Sequence, residues 1–259
     1  MVSIPPEGMN RYKACITYDG TDFHGFAPNP GVVTVGGLIR TALEKVLRVE
    51  TKITCAGRTD AGVHAKGQII SFDAEPMDIN QLEKSLNQLC APHVSINSLE
   101  ETVPSFDARF SAKSRTYRYQ ILNQNYLDPF LERFVWHVRN RLDVNSMQEA
   151  SSLLIGEHDF SSFCRKRIVK IGSEKIEASL VREVQSLEIL QTEENIIEIW
   201  ATATSFCHQM VRSITGTLVD VGLGKIEINE IVTILAEKDR NAAGRVAPPQ
   251  GLTLMEVGY

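Results

Sequence analysis

From residue 12 to residue 18 the chain alternates. Tyr12, Ala14, Ile16 and Tyr18 fall on one side, and Lys13, Cys15 and Thr17 fall between them. Successive side chains of a strand point to opposite faces, so this period of two predicts a strand with one buried face. Asp19-Gly20-Thr21 ends it, and Pro28-Asn29-Pro30-Gly31 marks a further turn. The period then changes. Leu38, Ile39, Ala42, Leu43, Val46 and Leu47 share one face at 3.6 residues per turn, which predicts a helix. Strands are predicted at Ile53–Ala56 and Gly67–Ala74, a helix on Leu82, Leu86 and Leu89 stopped by Pro92, and a short strand at Val94–Leu99.

A similar order recurs downstream. Arg115–Leu122 alternates as a strand, and Val144–Ile155 reads as a helix with Met147 and Leu154 facing inward and Gly156 as its stop. Val181–Leu190 and Ile196–Thr204 are strands separated by the polar turn Thr192-Glu193-Glu194-Asn195. A long apolar helix is expected over Phe206–Val221, a second near Glu227–Glu237, and a last strand over Leu252–Val257. Strands and helices do not alternate one for one, which argues against a doubly wound parallel sheet and for an α+β fold of two similar halves with mixed, mostly antiparallel sheets. The expected organisation is a loose tail at residues 1–10, one half over 11–108 and the other over 109–259, with the join near Pro104–Ala112.

At 259 residues, with 43% hydrophobic and 23% charged positions, the chain is an ordinary globular one, and no run of about 18 apolar residues suggests a membrane span. The first ten residues lack a basic segment followed by an apolar one, so the expected location is cytoplasmic. Five cysteines, Cys15, Cys55, Cys90, Cys164 and Cys207, include no C-x-x-C pair and are expected to be reduced thiols. The formal net charge is −5, but it is unevenly spread. Ser105–Lys170 holds eleven basic and seven acidic residues, and the rest holds sixteen and twenty-five, so a basic middle (+4) stands against an acidic remainder (−9). One face of such a protein can meet a polyanion although the whole is acidic.

The segment with the most chemistry is Cys55-Ala56-Gly57-Arg58-Thr59-Asp60-Ala61-Gly62-Val63-His64-Ala65-Lys66-Gly67-Gln68. Glycines at 57, 62 and 67 permit unusual backbone angles and close approach, so a carboxylate here can be aimed outward from a rigid sheet. The spacing fits no phosphate-binding loop, and no metal-ligand pattern occurs. Read alone, an aspartate in a glycine-rich loop serves more often in a turn than in catalysis.

Six stretches in order, with this one, change that reading. Gly57-Arg58-Thr59-Asp60-Ala61-Gly62-Val63-His64-Ala65-Lys66-Gly67-Gln68 resembles the active-site motif of the tRNA pseudouridine synthase A family. So do Tyr18-Asp19-Gly20-Thr21 with Gly25-Phe26, Phe106-Asp107-Ala108-Arg109-Phe110-Ser111-Ala112, and Arg115-Thr116-Tyr117-Arg118-Tyr119. Gly156-Glu157-His158-Asp159-Phe160-Ser161-Ser162-Phe163, His208-Gln209-Met210-Val211-Arg212 and Ala247-Pro248-Pro249-Gln250-Gly251-Leu252 complete the series. The resemblance implies a pseudouridine-synthase-like catalytic unit with a central cleft, acting without cofactor or metal on uridines 38–40 of the tRNA anticodon stem-loop, and a homodimer with each tRNA crossing both subunits. It implies Asp60 as the catalytic carboxylate, Arg212 as its basic partner and Tyr117 as the aromatic residue against the uracil. Arg58 and Thr59, beside Asp60, would contact the RNA.

An enclosed carboxylate stays ionised only where a cation offsets the cost of burial, which suits an arginine on an otherwise apolar helix. His208, four residues before Arg212, would share its face if the stretch were helical there, and is taken as a helper or a packing residue. Arg109, Lys113, Arg115, Arg118, Arg165, Lys166, Arg167 and Lys170 are candidates for phosphate contacts. His64 is expected to be structural. Two positions depart from the family: Ala27 and Gly36 stand where glutamine is common, which bears on RNA contacts near the first long helix. Two other readings compete. One is a non-catalytic RNA-binding protein; the other is a hydrolase pairing Asp60 with Asp73, which lies a full strand beyond the loop.

Overall fold

The computed structural model describes residues 4–165, 168–171 and 174–259. The strands are β1 (Asn10–Tyr18), β2 (Thr54–Cys55), β3 (His64–Ala74), β4 (Val94–Thr102), β5 (Ser114–Leu122), β6 (Trp136–His137), β7 (Gly156–Asp159), β8 (Ile168–Ile171), β9 (Glu174–Glu177), β10 (Val181–Gln191), β11 (Ile196–Ala203) and β12 (Leu252–Gly258). The helices are α1 (Val35–Leu47), α2 (Ile79–Cys90), α3 (Val144–Ser152), α4 (Met210–Gly222) and α5 (Glu230–Glu237). The fold is α+β, with mostly antiparallel pairing. No helix among the described residues is long and apolar enough to cross a membrane.

The chain divides into two compact units, Met1–Lys113 with Thr253–Tyr259, and Ser114–Leu252. This boundary differs from the expected one in two ways: the join falls after Lys113, and the last strand belongs to the first unit. In that unit β1 lies between β4 and β3, antiparallel to both, and β12 runs parallel to β3 with Thr253 opposite His64. β12 comes close because residue 67 carries no side chain. A Cβ there would stand 2.2 Å from the Met255 carbonyl oxygen.

The alternation read in β1 is present, with Tyr12, Ala14, Ile16 and Tyr18 all buried. β4 changes phase, burying Val94 and Ile96 but then Leu99. The cause is a bulge: Cys15 pairs with Ser98 and Ile16 with Ile96, which leaves Asn97 unpaired in the ladder. Its side chain donates to Thr17 Oγ1 at 2.6 Å instead. Two helices accompany this sheet, and each start is capped. Thr34 Oγ1 accepts from Gly37 N–H at 3.2 Å before α1, and Asp78 accepts from Asn80 and Gln81 before α2. On α2 the buried stripe is Leu82, Leu86 and Cys90, while Leu89 is only half-buried.

In the second unit β5, β11, β10 and β7 form an antiparallel sheet in that order, with β6 parallel to β5 and β8 paired separately with β9. Every second residue of β5 from Arg115 to Ile121 is buried. α4 is buried all round, except at Arg212. Glycines make that depth possible: a Cβ at Gly216 would stand 1.7 Å from the Arg245 carbonyl oxygen.

Candidate active site

Asp60 lies in the loop between β2 and β3, and the main chain around it is pinned. Phe26 N–H donates to Thr59 C=O at 3.1 Å, Val63 N–H to Asp60 C=O at 3.2 Å, and Gly62 N–H to Phe23 C=O at 3.3 Å. Gly25, at φ +87°, packs so close that a Cβ would meet Thr59 O at 2.8 Å and the Asp60 carbonyl carbon at 3.3 Å. Gly20 does the same for the end of the loop, where a Cβ would overlap Val63 O at 2.0 Å. This explains why the Tyr18-to-Phe26 stretch accompanies the Asp60 motif: its backbone is the bed on which the loop lies.

A buried polar network holds the other side. The Tyr18 hydroxyl and Thr59 Oγ1 share a hydrogen bond of 2.8 Å. Gln68 donates through Nε2 to Gly57 C=O at 2.6 Å and accepts from Gly57 N–H at 3.4 Å, so one amide stands in for a rung of sheet. Burial pushes the Tyr18 phenol well above its ordinary range, with hydrogen bonds from Thr59 and Gln68 opposing it. The hydroxyl therefore stays protonated and remains a positioning group. Tyr18 and Gln68 were not among the expected site residues, although both lie inside the quoted motifs. Tyr18→Phe is expected to cost about 1 kcal/mol of stability, the usual worth of one such bond, with the denaturant slope unchanged in a urea titration.

Arg58 and Asp60 differ in exposure: Arg58 is exposed, Asp60 half-buried and Thr59 buried. Thr59 turns its hydroxyl inward to Tyr18. Arg109 is exposed on a turn made rigid by Asp107, whose carboxylate accepts from Arg109 N–H at 2.8 Å and Phe110 N–H at 2.9 Å. Its guanidinium stacks 5.3 Å over the Phe110 ring, which is 68% exposed. Burial pushes the Cys55 thiol up to about 11 against the pull of both Arg58 and Arg109. The two arginines thus stand near one another around Cys55. Lys113 is also exposed.

His64 is buried and accepts at Nδ1 from Gly20 N–H at 3.0 Å. It already belongs to β3, which begins earlier than the sequence pattern suggests, so the motif's last residues are strand and not loop. Asp73 is joined to buried Arg11 through Nε to Oδ1, with Nη2 to Oδ2 at 3.1 Å. It is held as a structural ion pair across the Arg11–Asp73 register of β1 and β3, which removes the basis for a two-carboxylate hydrolase.

Within the second unit, Tyr117 is buried, and its ring meets Phe206 edge to face at 5.3 Å. Tyr119, two residues on and on the same face, donates to Pro248 C=O at 2.7 Å. Arg212 Nε donates to Ala247 C=O at 2.7 Å, and Ala247 N–H donates back to Arg212 C=O at 3.0 Å. Burial pushes the Tyr119 phenol upward while the Arg212 charge draws it down, so the arginine lies beside this strand. The Ala247-to-Leu252 motif thus ties α4 to β5 and holds Arg212, the one half-open position on α4.

His208 is placed otherwise than expected. Gln209 adopts φ +65°, and α4 begins only at Met210, so His208 precedes the helix and shares no helical face with Arg212. Arg115 is 8% exposed and donates to Thr204 C=O at 2.7 Å, and Arg118 pairs with Glu198 at 3.2 Å. Both are drawn into local structure by the pairing of β5 with β11. Arg165 is exposed and Lys170 lies on β8, while Lys166 and Arg167 fall outside the described residues. Gly36, one of the two family departures, donates from N–H to Phe26 C=O at 2.9 Å, next to Ala27, the other. The two departures are therefore one local feature. Among the described residues no cluster of three His, Cys, Asp or Glu is set to hold a metal ion.

A family model described as tRNA pseudouridine synthase matches residues 14–111 and 150–259. The tRNA pseudouridine synthase A of Brevibacillus brevis is 42% identical over 254 residues, covering 97% of this chain and 100% of that protein. The tRNA pseudouridine synthase A of Listeria monocytogenes is 40% identical over 255 residues, with the same 97% and 100% coverage.

Proposed function

The chain belongs to the tRNA pseudouridine synthase family, isomerases of tRNA uridine, and we propose that it acts at positions 38–40 of the anticodon stem-loop with Asp60 as its catalytic carboxylate. The observation that carries this reading is the rigid mounting of Asp60, with Gly20, Gly25, Tyr18 and Gln68 all serving to hold one loop. A merely binding protein has no need of such a mounting around a carboxylate.

The reaction breaks the bond from ribose C1′ to uracil N1, turns the ring, and joins C1′ to C5. The C5 proton leaves and N1 gains one, so substrate and product are isomers. A carboxylate serves whether it bonds to the sugar, bonds to the ring or first draws a sugar proton. Arg212 is proposed as its cationic partner. Tyr117 is proposed to lie against the uracil, its ring offering an apolar face and its hydroxyl a polar tip for the C5 proton. The target nucleotide must leave its stack to be reached, and Arg58, beside Asp60 and exposed, suits the gap it leaves. Thr59 supports the loop from within. Phosphate contacts are assigned to the exposed Arg109, Lys113 and Arg165, and His208 is kept as a secondary contact. The enzyme is proposed to work as a cytoplasmic homodimer without a cofactor.

The test is tritium release from tRNA transcripts labelled at uridine C5, with no added cofactor or metal. Release mapped to positions 38–40 supports the proposal. Release from other uridines alone overturns the site assignment. Three phosphate contacts at roughly 0.7–0.9 counterions each predict a slope of about −2.5 for log affinity against log salt. A flat dependence, read by filter binding across a salt series, would remove the exposed cations from the interface.

A further inference from the structure

Four of the five thiols in this chain are pushed toward the protonated form, and one is drawn toward the thiolate. Burial pushes up Cys15, Cys55 and Cys90, the latter two to about 11. Cys164 is pushed up as well, because its thiol donates to Cys207 and because it is buried. Cys207 alone is drawn down, first by that hydrogen bond from Cys164 and then by the charge of Arg182, against burial and the Asp159 carboxylate.

The geometry behind this is local and specific. Cys164 follows the short turn Ser161–Phe163, and Cys207 lies just ahead of α4. Arg165 N–H donates to His208 C=O at 3.2 Å, and this backbone bond seats the preceding residues, Cys164 and Cys207, side by side. Both are free thiols. Arg182 reaches them from β10. Its Nη1 donates to Ser179 and Val181 carbonyls, while its buried Nε has no hydrogen-bond partner. A buried guanidinium donor without an acceptor costs free energy unless an anion is nearby, and a Cys207 thiolate is such an anion. Cys164 lines a cavity of about 430 Å³ with Arg165, Gln209, Lys238, Asp239 and Arg240, and Cys207 beside it is half-buried, so the pair is not sealed from small solutes.

We propose that Cys207 and Cys164 form a hydroperoxide-reactive pair, with Cys207 attacking the peroxide and Cys164 resolving the product to an intramolecular disulfide. In the first step the Cys207 thiolate bonds to one oxygen of hydrogen peroxide and the O–O bond breaks. This leaves a sulfenic acid and a hydroxide, which takes a proton from solvent to become water. In the second, the Cys164 sulfur attacks the Cys207 sulfur, and the expelled hydroxyl leaves as water with the proton Cys164 gives up. Two thiols lose two electrons in all, and one peroxide becomes two waters. The disulfide would fasten the entrance of α4, the helix that carries Arg212, to the Cys164 turn.

The experiment uses the full reduced protein, graded hydrogen peroxide, alkylation of remaining thiols and peptide mass spectrometry. A Cys164–Cys207 linked peptide should appear first, while Cys15, Cys55 and Cys90 are still alkylated, and dithiothreitol should restore both thiols. Cys164→Ser should leave a sulfenic acid at Cys207 that dimedone captures. Arg182→Met should slow the first step by about tenfold, because the guanidinium that favours the Cys207 thiolate is gone. Oxidation of Cys207 no faster than that of Cys15, or a sulfenic acid at Cys207 in the unaltered protein with no disulfide following, would overturn the pair. An unchanged rate in Arg182→Met would overturn the role given to Arg182.

Discussion

Asp60→Asn is expected to lower turnover by roughly a thousandfold or more while tRNA binding changes by less than about threefold. The substitution keeps the size and shape of the side chain and removes its charge and its nucleophilic oxygen. The loop should survive it, because residues 57–63 are pinned by main-chain groups and by Tyr18 and Gln68. Affinity should survive because it rests on exposed cations elsewhere. Single-turnover tritium release, set beside filter binding on the same preparations, separates the two effects. Near-normal turnover in Asp60→Asn would show that another group does the chemistry. Equal loss of binding and turnover would make Asp60 an RNA contact.

The second large effect is expected at Gly25, which takes no part in the chemistry itself. Gly25→Ala should destabilise the protein by about 3 kcal/mol, from two sources that add: a left-handed backbone angle that a side chain disfavours, and a methyl group against backbone. The methyl would sit 2.8 Å from Thr59 O and 3.3 Å from the Asp60 carbonyl carbon, and neither belongs to a side chain that can swing aside. The loop itself must move. Turnover of the fraction still folded should therefore fall at least tenfold, since small misplacement of a catalytic group is costly. Urea unfolding followed by activity at a temperature where the variant is folded distinguishes this from simple instability. Full activity of the folded fraction would show that Asp60 does not depend on its bed.

Much of this fold could be read from pattern alone where one physical effect dominated. β1 and β5 alternate in sequence and alternate in burial, because each has one face against a core. The Asp60 loop was found from its glycines and its family motif. What escaped the pattern depended on partners distant in sequence. Asn97 shifts the phase of β4 through a bulge that only pairing with β1 defines. β3 begins at His64 because β12, nearly two hundred residues later, lies against it. Phe206 and Cys207 are apolar enough to extend α4 backward, yet with Gln209 in a left-handed angle the helix starts only at Met210, which takes His208 off the Arg212 face. Arg115 and Arg118 look like surface cations in a basic stretch, but strand pairing with β11 gives each an acceptor close at hand. The pairing of Cys164 with Cys207 leaves no mark in cysteine spacing.

Because Thr253–Tyr259 complete the first unit, its two pieces are made well apart in time. All of Ser114–Leu252 leaves the ribosome before the parallel strand beside β3 exists, so that intervening unit is free to fold first. Until then the edge of β3 at Gly67 waits uncovered, an open ladder of the kind other strands can join. The loop bearing Asp60 leads directly into that edge. A chain lacking β12 would therefore keep its later unit sound and leave the Asp60 loop leading into an open edge, with the fault far along the sequence from the residue it unsettles.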